Sequence, residues 1–480
     1  MKRKLICLLT LVALVAVGVP AEVLAKNRAV ADESGSIDKA ARRAAQQARR
    51  ANRAARQHPA LFHAASASAT QYLLDAGRWR KKHTQAVRAA GGELVFAHGP
   101  TGLALAVSSN PDFLDEVTGA ASFLFAEEDV FVDWDQPPLV ESVVTPGDET
   151  FFPLQWNMVA IDAPGAWAAG CDGSGARVAV IDGGLYHIHP DIAPNLDAAC
   201  SASFVPGVPY TTDTGTFWHG THVAGIVLGA DNGFGIIGVA PGATLMHLKA
   251  LHAGSGSFGA VIGAVLFAAD PASFGAGCTQ RADIINMSLG ALFFKSSFPG
   301  FHSAAAKAVN FAGSRGVLVI SAAANNGLDI GQFADLTVIP AQSGSGLAIS
   351  ATGPVDFANG GSNYRRIASY TNYGEDLVTL AAPGGDFTLF PVGAWFLDMV
   401  LSTCRGTSTP PTFSFCFAAG TSMASPAAAG VAALIKGANP GISKGALKTK
   451  LMNTADDEGK VGKDEFYGHG FVNARRACTE

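Results

Sequence analysis

The chain has 480 residues, of which 48% are apolar and 15% charged, and its net charge is −5. This length exceeds one average domain, and the apolar content is sufficient for a large buried core. The weakly acidic balance gives no reason to expect nucleic acid or a membrane surface as a partner.

Residues 1–25 predict a cleaved secretory signal. Basic residues at 2–4 precede an apolar run at 5–19, and small residues end at Ala25. A membrane anchor needs about 20 apolar residues, whereas Pro20 ends this run. We therefore expect cleavage after Ala25 and an exported, soluble product that is either periplasmic or extracellular.

The next segments differ sharply in composition. Residues 26–69 are rich in Ala, Arg and Gln and predict a flexible arm, because they offer few side chains for a core. Residues 70–135 show the order helix, strand, strand, helix, strand, which predicts a small α+β domain. Residues 136–151 contain three prolines and no regular period, which predicts a linker.

Residues 152–480 alternate between short apolar strands and helices. This pattern predicts a three-layer α/β fold, with a parallel sheet covered by helices on both faces. The predicted strands are 177–181, 244–248, 284–287, 317–323 and 347–351. The predicted helices are 220–229, 258–269, 301–315, 427–436 and 444–453. The Thr/Pro/Phe-rich stretch 387–417 predicts a surface insertion.

The cysteines favour disulfides. Cys7 leaves with the signal, and an even number, six, remains in an exported chain. Cys404 and Cys416 flank a short polar segment, so we expect them to pair. The sequence leaves the other pairings open, and free thiols are the alternative.

Three residues carry the expected chemistry. Asp182 ends a strand, His219 opens a helix, and Ser422 lies at the mouth of a helix of small residues. Singly, they could be a helix cap, a core histidine and an N-cap. Together they supply the carboxylate, imidazole and hydroxyl that activate a serine nucleophile, in a chain order known for such triads.

The segments 180–184, 219–222 and 420–426 resemble, with their flanking residues, the subtilase family of secreted serine endopeptidases. The resemblance implies polypeptide substrates and a subtilisin-like domain over 152–480. It implies that residues 70–135 are an inhibitory propeptide, removed by self-cleavage within the linker. We also expect a monomer.

The resemblance extends to the binding residues. It implies that Asn325 donates its side-chain amide to the oxyanion of the tetrahedral intermediate, while Asn326 belongs to a turn. It also implies two edges that grip an extended substrate, where glycine permits close approach. These edges are Gly254, Ser255 and Gly256 on one side, and Ser288, Leu289 and Gly290 on the other.

A structural Ca²⁺ is implied in the same way. Its ligands would be the side chains of Asp191 and Asn232 with the backbone carbonyls of Ala230, Phe234 and Ile236, a set of hard oxygen donors. Phe152 stands where the family has a glutamine ligand. The alternative is a loop of the same shape that holds no ion.

Departures from the family leave other interpretations open. Gly183 replaces the usual Ser or Thr after the catalytic acid, and Ala324 replaces a glycine. One alternative is a catalytically inactive binding scaffold. Another is a metallohydrolase, although its histidine cluster lacks the glutamate of a His-Glu-x-x-His motif. That cluster would be His187, His189, His219 and His222.

Overall fold

The computed structural model describes residues 69–133, 139–140, 151–215, 218–275, 277–406 and 412–480. The predicted signal, almost all of the predicted arm and most of the predicted linker lie outside the described residues. Within the described ranges, none of the helices combines the length and the apolar character that a membrane span requires.

The N-terminal unit, residues 69–133, is a small α+β domain. Its four-stranded antiparallel sheet has the strand order β2-β3-β1-β4. The elements are β1 (Thr70–Asp75), α1 (Lys81–Ala89), β2 (Gly92–Ala97), β3 (Leu103–Ser108), α2 (Phe113–Ala120) and β4 (Phe125–Glu128). A short strand, β5 (Phe131–Asp133), leaves this sheet, and β6 (Leu139–Val140) follows it along the chain.

The sequence prediction missed β1 and placed one closing strand where the structure has two, β4 and β5. The side chains of Tyr72 and Leu74 pack with α1 and α2, whereas Leu73 packs into the core of the larger domain. A strand covered on both faces lacks the polar–apolar alternation that identifies strands in a sequence. The sequence pattern therefore does not reveal β1, because the whole sheet lies between two helical layers.

The larger unit, residues 151–480, contains the predicted parallel sheet, which has seven strands where the sequence predicted five. The strand order is β16-β15-β13-β11-β7-β9-β8. Its strands are β7 (Arg177–Asp182), β8 (Ala202–Ser203), β9 (Thr244–Lys249), β11 (Ile284–Met287), β13 (Leu318–Ala322), β15 (Leu347–Thr352) and β16 (Leu380–Pro383). Outside it lie β10 (Ser255–Ser257), β12 (Ala291–Phe294), β14 (Leu336–Ile339), β17 (Val400–Arg405) and β18 (Phe413–Ala418).

Helices cover both faces of the sheet. They are α3 (Trp156–Ala160), α4 (Ala163–Ala168), α5 (His219–Leu228), α6 (Phe258–Ala269), α7 (Pro299–Ser314), α8 (Thr421–Ala438), α9 (Lys444–Asn453) and α10 (Ala474–Thr479). In β7, Val178 and Val180 pack toward α5 and α8, whereas Ala179 and Ile181 pack toward α6 and α7. The predicted three-layer α/β fold is confirmed.

The prediction of a surface insertion over 387–417 is wrong for its second half. The hairpin β17–β18 packs on α5, and Phe415 and Phe417 are buried. The Ser402 and Thr403 hydroxyls donate to carbonyls of α5 at 2.8 and 2.7 Å. A strand that looks polar in the sequence is therefore part of the core, because the helix satisfies its hydroxyl groups.

Three disulfides join the six cysteines of the larger unit. The predicted pair Cys404–Cys416 is confirmed and closes the β17–β18 hairpin. The other pairs are Cys171–Cys478 and Cys200–Cys278. Cys171–Cys478 connects residues 307 positions apart, so it ties the two ends of this unit together.

Candidate active site

Asp182 and His219 lie in contact at the carboxyl end of the parallel sheet. Asp182 is the last residue of β7, and His219 is the first residue of α5. Nδ1 of His219 lies 2.8 and 2.9 Å from the two carboxylate oxygens of Asp182. The Gly183 N–H donates to Oδ1 at 2.6 Å and fixes the carboxylate. Because a carboxylate only accepts, Nδ1 carries the proton and Nε2 is left as the basic nitrogen.

Ser422 enters the site from the helix next to α5. It is the second residue of α8, which packs on α5 and begins after Gly420. The Ser422 hydroxyl donates to the carbonyl of Ser288 at 3.0 Å, and the Ser288 hydroxyl donates to the carbonyl of Ser422 at 2.7 Å. The helix start is therefore bound to one of the two predicted substrate edges.

A buried polar chain supports this contact, and the sequence analysis missed it. Asn286, in the middle of β11, donates from Nδ2 to the Ser288 hydroxyl at 2.9 Å and accepts the hydroxyl of Ser425. Its one signal in the sequence is a polar residue within a buried apolar strand. A fully buried amide with satisfied partners rigidifies its surroundings, so Asn286 holds β11 against the helix of Ser422.

The two asparagines after β13 differ clearly in their partners. Oδ1 of Asn325 accepts both the N–H and the hydroxyl of Thr421, each at 2.8 Å. A backbone N–H can only donate, so the side-chain oxygen faces Thr421 and the NH₂ end is the donor. Asn326 instead is bound through its backbone and side chain to Asn372. Asn325 is therefore the asparagine held beside Ser422.

The departure at Ala324 places a side chain in an unfavourable backbone conformation. Ala324 has a φ of 67°, in the left-handed region that glycine tolerates and other residues adopt at a cost. A Cβ placed on Gly290 would lie 3.2 Å from the Cβ of Ala324. The methyl of Ala324 therefore closes the space next to one predicted substrate edge.

The chain's own strand β5 lies on the other predicted substrate edge. β5 pairs antiparallel with β10, which contains Ser255 and Gly256. Val132 stands opposite Gly256, and the Ser255 hydroxyl donates to the carbonyl of Val132 at 3.3 Å. The predicted edge thus pairs with an extended segment of this chain by main-chain hydrogen bonds.

Asp129 anchors the N-terminal domain just before β5. Its carboxylate accepts the Gly259 N–H at 3.0 and 3.2 Å at the start of α6, where a helix favours negative charge. The Phe258 N–H donates to the carbonyl of Val130 at 3.0 Å. Burial raises the pKa of Asp129 to about 7, although the Ser257 side chain and the N–H groups of Gly259 and Val130 act to lower it.

The predicted calcium loop contains a buried acid and free carbonyls. Asp191 is fully buried, and burial raises its pKa to about 6, although Ile236 and Asn232 act to lower it. The predicted ligand carbonyls of Ala230, Phe234 and Ile236 accept no hydrogen bond from any described residue. Carbonyls without partners and a buried carboxylate are the hard oxygen donors that Ca²⁺ prefers, so these four groups fit Ca²⁺ in their chemistry.

Asn232 does not fit in its observed orientation. Its Oδ1 accepts the Phe234 N–H at 3.0 Å, and its Nδ2 faces Asp191 at 3.2 Å. The amide would have to turn over to present its oxygen to an ion. Gln155, three residues beyond Phe152, supports the loop by pairing with both backbone groups of Ile237.

The histidines of the metallohydrolase alternative do not converge on one point. His189 lies 3.0 Å from the carbonyl of Ser414, and His222 lies 3.0 Å from that of Cys416, so each donates from Nε2. Burial lowers the pKa of His189 to about 4 and that of His222 to about 3. No group of three His, Cys, Asp or Glu side chains in the described ranges could hold a metal. His189 and His222 therefore support the hairpin β17–β18.

Comparison with known proteins gives one consistent result. Residues 173–470 match the sequence model of the subtilase family, peptidase S8. The chain is 33% identical to M-protease of Shouchella clausii over 374 residues, which covers 78% of each chain. It is 35% identical to subtilisin Savinase of Lederbergia lenta over 325 residues, covering 68% of this chain and 98% of that protein.

Solved structures agree with this result. Fervidolysin of Fervidobacterium pennivorans, described as a keratinolytic enzyme related to subtilisin, matches with a TM-score of 0.65 at 22% identity. That match covers 86% of this chain and 61% of fervidolysin. A protease of Pseudoalteromonas arctica matches with a TM-score of 0.55 at 29% identity, covering 70% of this chain and 98% of that one.

Proposed function

Because this chain belongs to the subtilase family of serine endopeptidases, we propose that it cleaves peptide bonds with Asp182, His219 and Ser422 as its catalytic triad. The observation that carries the proposal is the paired contact of Nδ1 of His219 with both oxygens of Asp182. That contact leaves Nε2 as the base, which would take the proton of Ser422 once its hydroxyl turns from the carbonyl of Ser288 and attacks the substrate carbonyl. The carboxylate then stabilises the imidazolium that forms.

In this mechanism the acyl-enzyme forms on Ser422, and His219 returns its proton to the leaving amine. Water then hydrolyses the ester. The amide of Asn325 and the backbone N–H of Ser422 would stabilise the oxyanion of both tetrahedral intermediates. The segments Gly254–Gly256 and Ser288–Gly290 would hold the substrate by main-chain hydrogen bonds.

The direct test is hydrolysis of a denatured protein by the purified chain. We expect cleavage that a fluorophosphonate stops and that a metal chelator does not stop in a short assay. A folded chain that binds peptides without cutting them would instead support the inactive scaffold.

Replacing Asn325 tests the proposed oxyanion donor. Asn325→Ala should lower kcat by about 10²–10³, the loss known for such a donor in subtilisin, with little change in KM. Asn326→Ala is the matched control, because its side chain bonds to Asn372 and not to Thr421 beside the nucleophile. Steady-state kinetics of both variants should show the large loss in Asn325→Ala alone. Equal losses would contradict the assignment.

We further propose that residues 70–135 are an inhibitory propeptide and that the enzyme is made as a self-processing precursor. Support comes from β5, which pairs with the substrate edge β10, and from Asp129 at the start of α6. The N-terminal sheet also packs on this helix layer, and Lys307 of α7 contacts Asp75 at 2.6 Å. The signal-like N-terminus and the three disulfides support export.

The raised pKa of Asp129 predicts that release of the propeptide depends on pH. A free aspartate has a pKa near 3.9, and burial raises that of docked Asp129 to about 7. The N-terminal domain therefore binds the larger domain most strongly when the Asp129 carboxyl group is protonated, and this binding weakens as pH rises from about 4 to 7. Between pH 6 and pH 8 docking weakens about tenfold, so we expect release to be about tenfold faster at pH 8.

Asp129→Asn is the matched control, because its amide does not ionise. Buried His98 of the N-terminal domain, near Asp270 and Arg315, titrates in the opposite sense, since burial lowers its pKa. Comparing the two proteins at each pH isolates Asp129. The measurement is the time course of activation at each pH, and an identical pH dependence in both proteins would contradict the prediction.

We also propose that a structural Ca²⁺ is held by Asp191 and the carbonyls of Ala230, Phe234 and Ile236, with Asn232 after its amide turns. Binding to the folded state alone raises stability, so calcium should raise the midpoint of thermal unfolding. Asp191→Asn should abolish this rise. Unfolding curves with calcium and with chelator measure it, and identical midpoints for the wild type would contradict the site.

A further inference from the structure

A second carboxylate, Asp213, lies beside the proposed catalytic acid. Its Oδ2 accepts the N–H of Gly184 at 2.5 Å, two residues after Asp182. Its Oδ1 accepts the N–H of Ala253 at 3.0 Å, directly before the predicted substrate edge that starts at Gly254. One side chain therefore joins the catalytic strand end to the substrate-binding segment.

Lys249 supplies the countercharge. Its side chain is fully buried, and Nζ lies 3.5 Å from Oδ2 of Asp213 and donates to the carbonyl of Leu251 at 2.7 Å. Lys249 ends β9 directly opposite Asp182 of β7. Nδ1 of His252 also lies 3.3 Å from Oδ1 of Asp213.

These neighbours keep Asp213 ionised. Burial alone would raise the pKa of this carboxyl group, but Lys249 and the N–H groups of Ala253, Gly184 and Thr214 hold it below its ordinary value. A buried charge is tolerated when it is paired and hydrogen-bonded. The Asp213 carboxylate meets both conditions.

Asp213 also accounts for the unusual Gly183. A Cβ placed on Gly183 would lie 2.6 Å from Oδ2 of Asp213, and one on Gly184 would lie 2.7 Å from its Cβ. The carboxylate occupies the room that the hydroxyl residue usual in the family would need. Gly183 is therefore the residue that lets Asp213 approach the end of the Asp182 strand.

The turn before the substrate edge depends on this contact. Ala253 has a φ of 55° and Gly254 a φ of 78°, so two successive residues are left-handed. Such a turn costs free energy for alanine and needs support from its surroundings. The bond from the Ala253 N–H to Asp213 provides that support.

We propose that Asp213 is a positioning residue that fixes the end of the Asp182 strand and the segment Gly254–Gly256 in one arrangement, with Lys249 as its countercharge. The role rests on the proposed function, because it concerns the same hydrolysis. Asp213 touches no reacting atom. It acts through the backbone of Gly184 and Ala253.

The test compares Asp213→Ala, Lys249→Met and the double variant. Each single variant leaves a buried charge unpaired and should unfold at lower temperature, whereas the double variant should recover stability. The kcat/KM of the double variant on a tetrapeptide anilide should nevertheless stay about ten- to a hundredfold below that of the wild type. Most of this loss should lie in KM, and a single-residue ester, which does not use the edge, should lose less.

A second pair of variants tests the contact with Gly183. Gly183→Ser should displace Asp213 and reduce kcat/KM on the tetrapeptide. When Gly183→Ser is combined with Asp213→Ala, the fold-loss in kcat/KM should be smaller than the product of the two single fold-losses. If the stable double variant Asp213→Ala, Lys249→Met has the kcat/KM of the wild type, the positioning role of Asp213 is overturned. The proposed function is not affected by that result. A folded wild-type chain that hydrolyses neither substrate would contradict the proposed function as well.

Discussion

Ser422→Ala is expected to abolish both peptide hydrolysis and self-cleavage of the precursor. The hydroxyl is the proposed nucleophile, and an alanine leaves no atom that can form the acyl-enzyme. Loss of this serine costs about a millionfold in kcat in subtilisin, and we expect a loss of that order here. Peptide hydrolysis and the mass of the purified chain measure the two effects.

Ser425→Ala is the matched control, since Ser425 lies one turn further along α8 and bonds to Asn286. It should disturb the support of the site without removing the nucleophile, so both cleavage reactions should continue. Processing by a purified Ser422→Ala chain, free of other proteases, would contradict the assignment.

Asp182→Asn is expected to lower kcat by about 10⁴, the loss that follows a wrong imidazole tautomer in a serine protease. The Gly183 N–H needs an acceptor at the Oδ1 position, 2.6 Å away. The amide oxygen would take that position and turn the NH₂ group toward Nδ1 of His219. Nε2 would then carry the proton and could not accept one from Ser422.

Asp197→Asn provides the control for this variant. Asp197 is paired with Arg177, at the other end of β7 from Asp182. Steady-state kinetics should show a kcat close to that of the wild type. An Asp182→Asn enzyme with similarly normal kcat would show that Asp182 does not orient the imidazole.

The main architecture could be predicted because short apolar strands alternate with helices along the chain, which is typical of a parallel sheet. The strand at 284–287 and the helices at 258–269 and 444–453 have the bounds that the sequence predicted. β1 and the hairpin β17–β18 were missed or misjudged for a physical reason. Burial on both faces removes the alternation of β1, and hydroxyl groups bonded to α5 make a core strand look polar.

The site was predictable where chemistry is concentrated in short segments. The segments of Asp182, His219 and Ser422 each carry their own signal, and Asn325 follows a strand as expected. Asp213 could not be found in this way, because its role comes from contacts with Gly184 and Ala253, which are distant in sequence. The orientation of Asn232 likewise depends on a local hydrogen bond that no sequence pattern specifies.

The most direct measurement is mass spectrometry of the chain after reaction with a fluorophosphonate. If an imidazole that is oriented by a carboxylate activates one hydroxyl, the reagent should modify Ser422 alone in the folded enzyme. Modification should disappear in His219→Ala, although its Ser422 remains. An unmodified Ser422 in an enzyme that still cleaves peptides, or equal modification with and without the imidazole, would contradict the account.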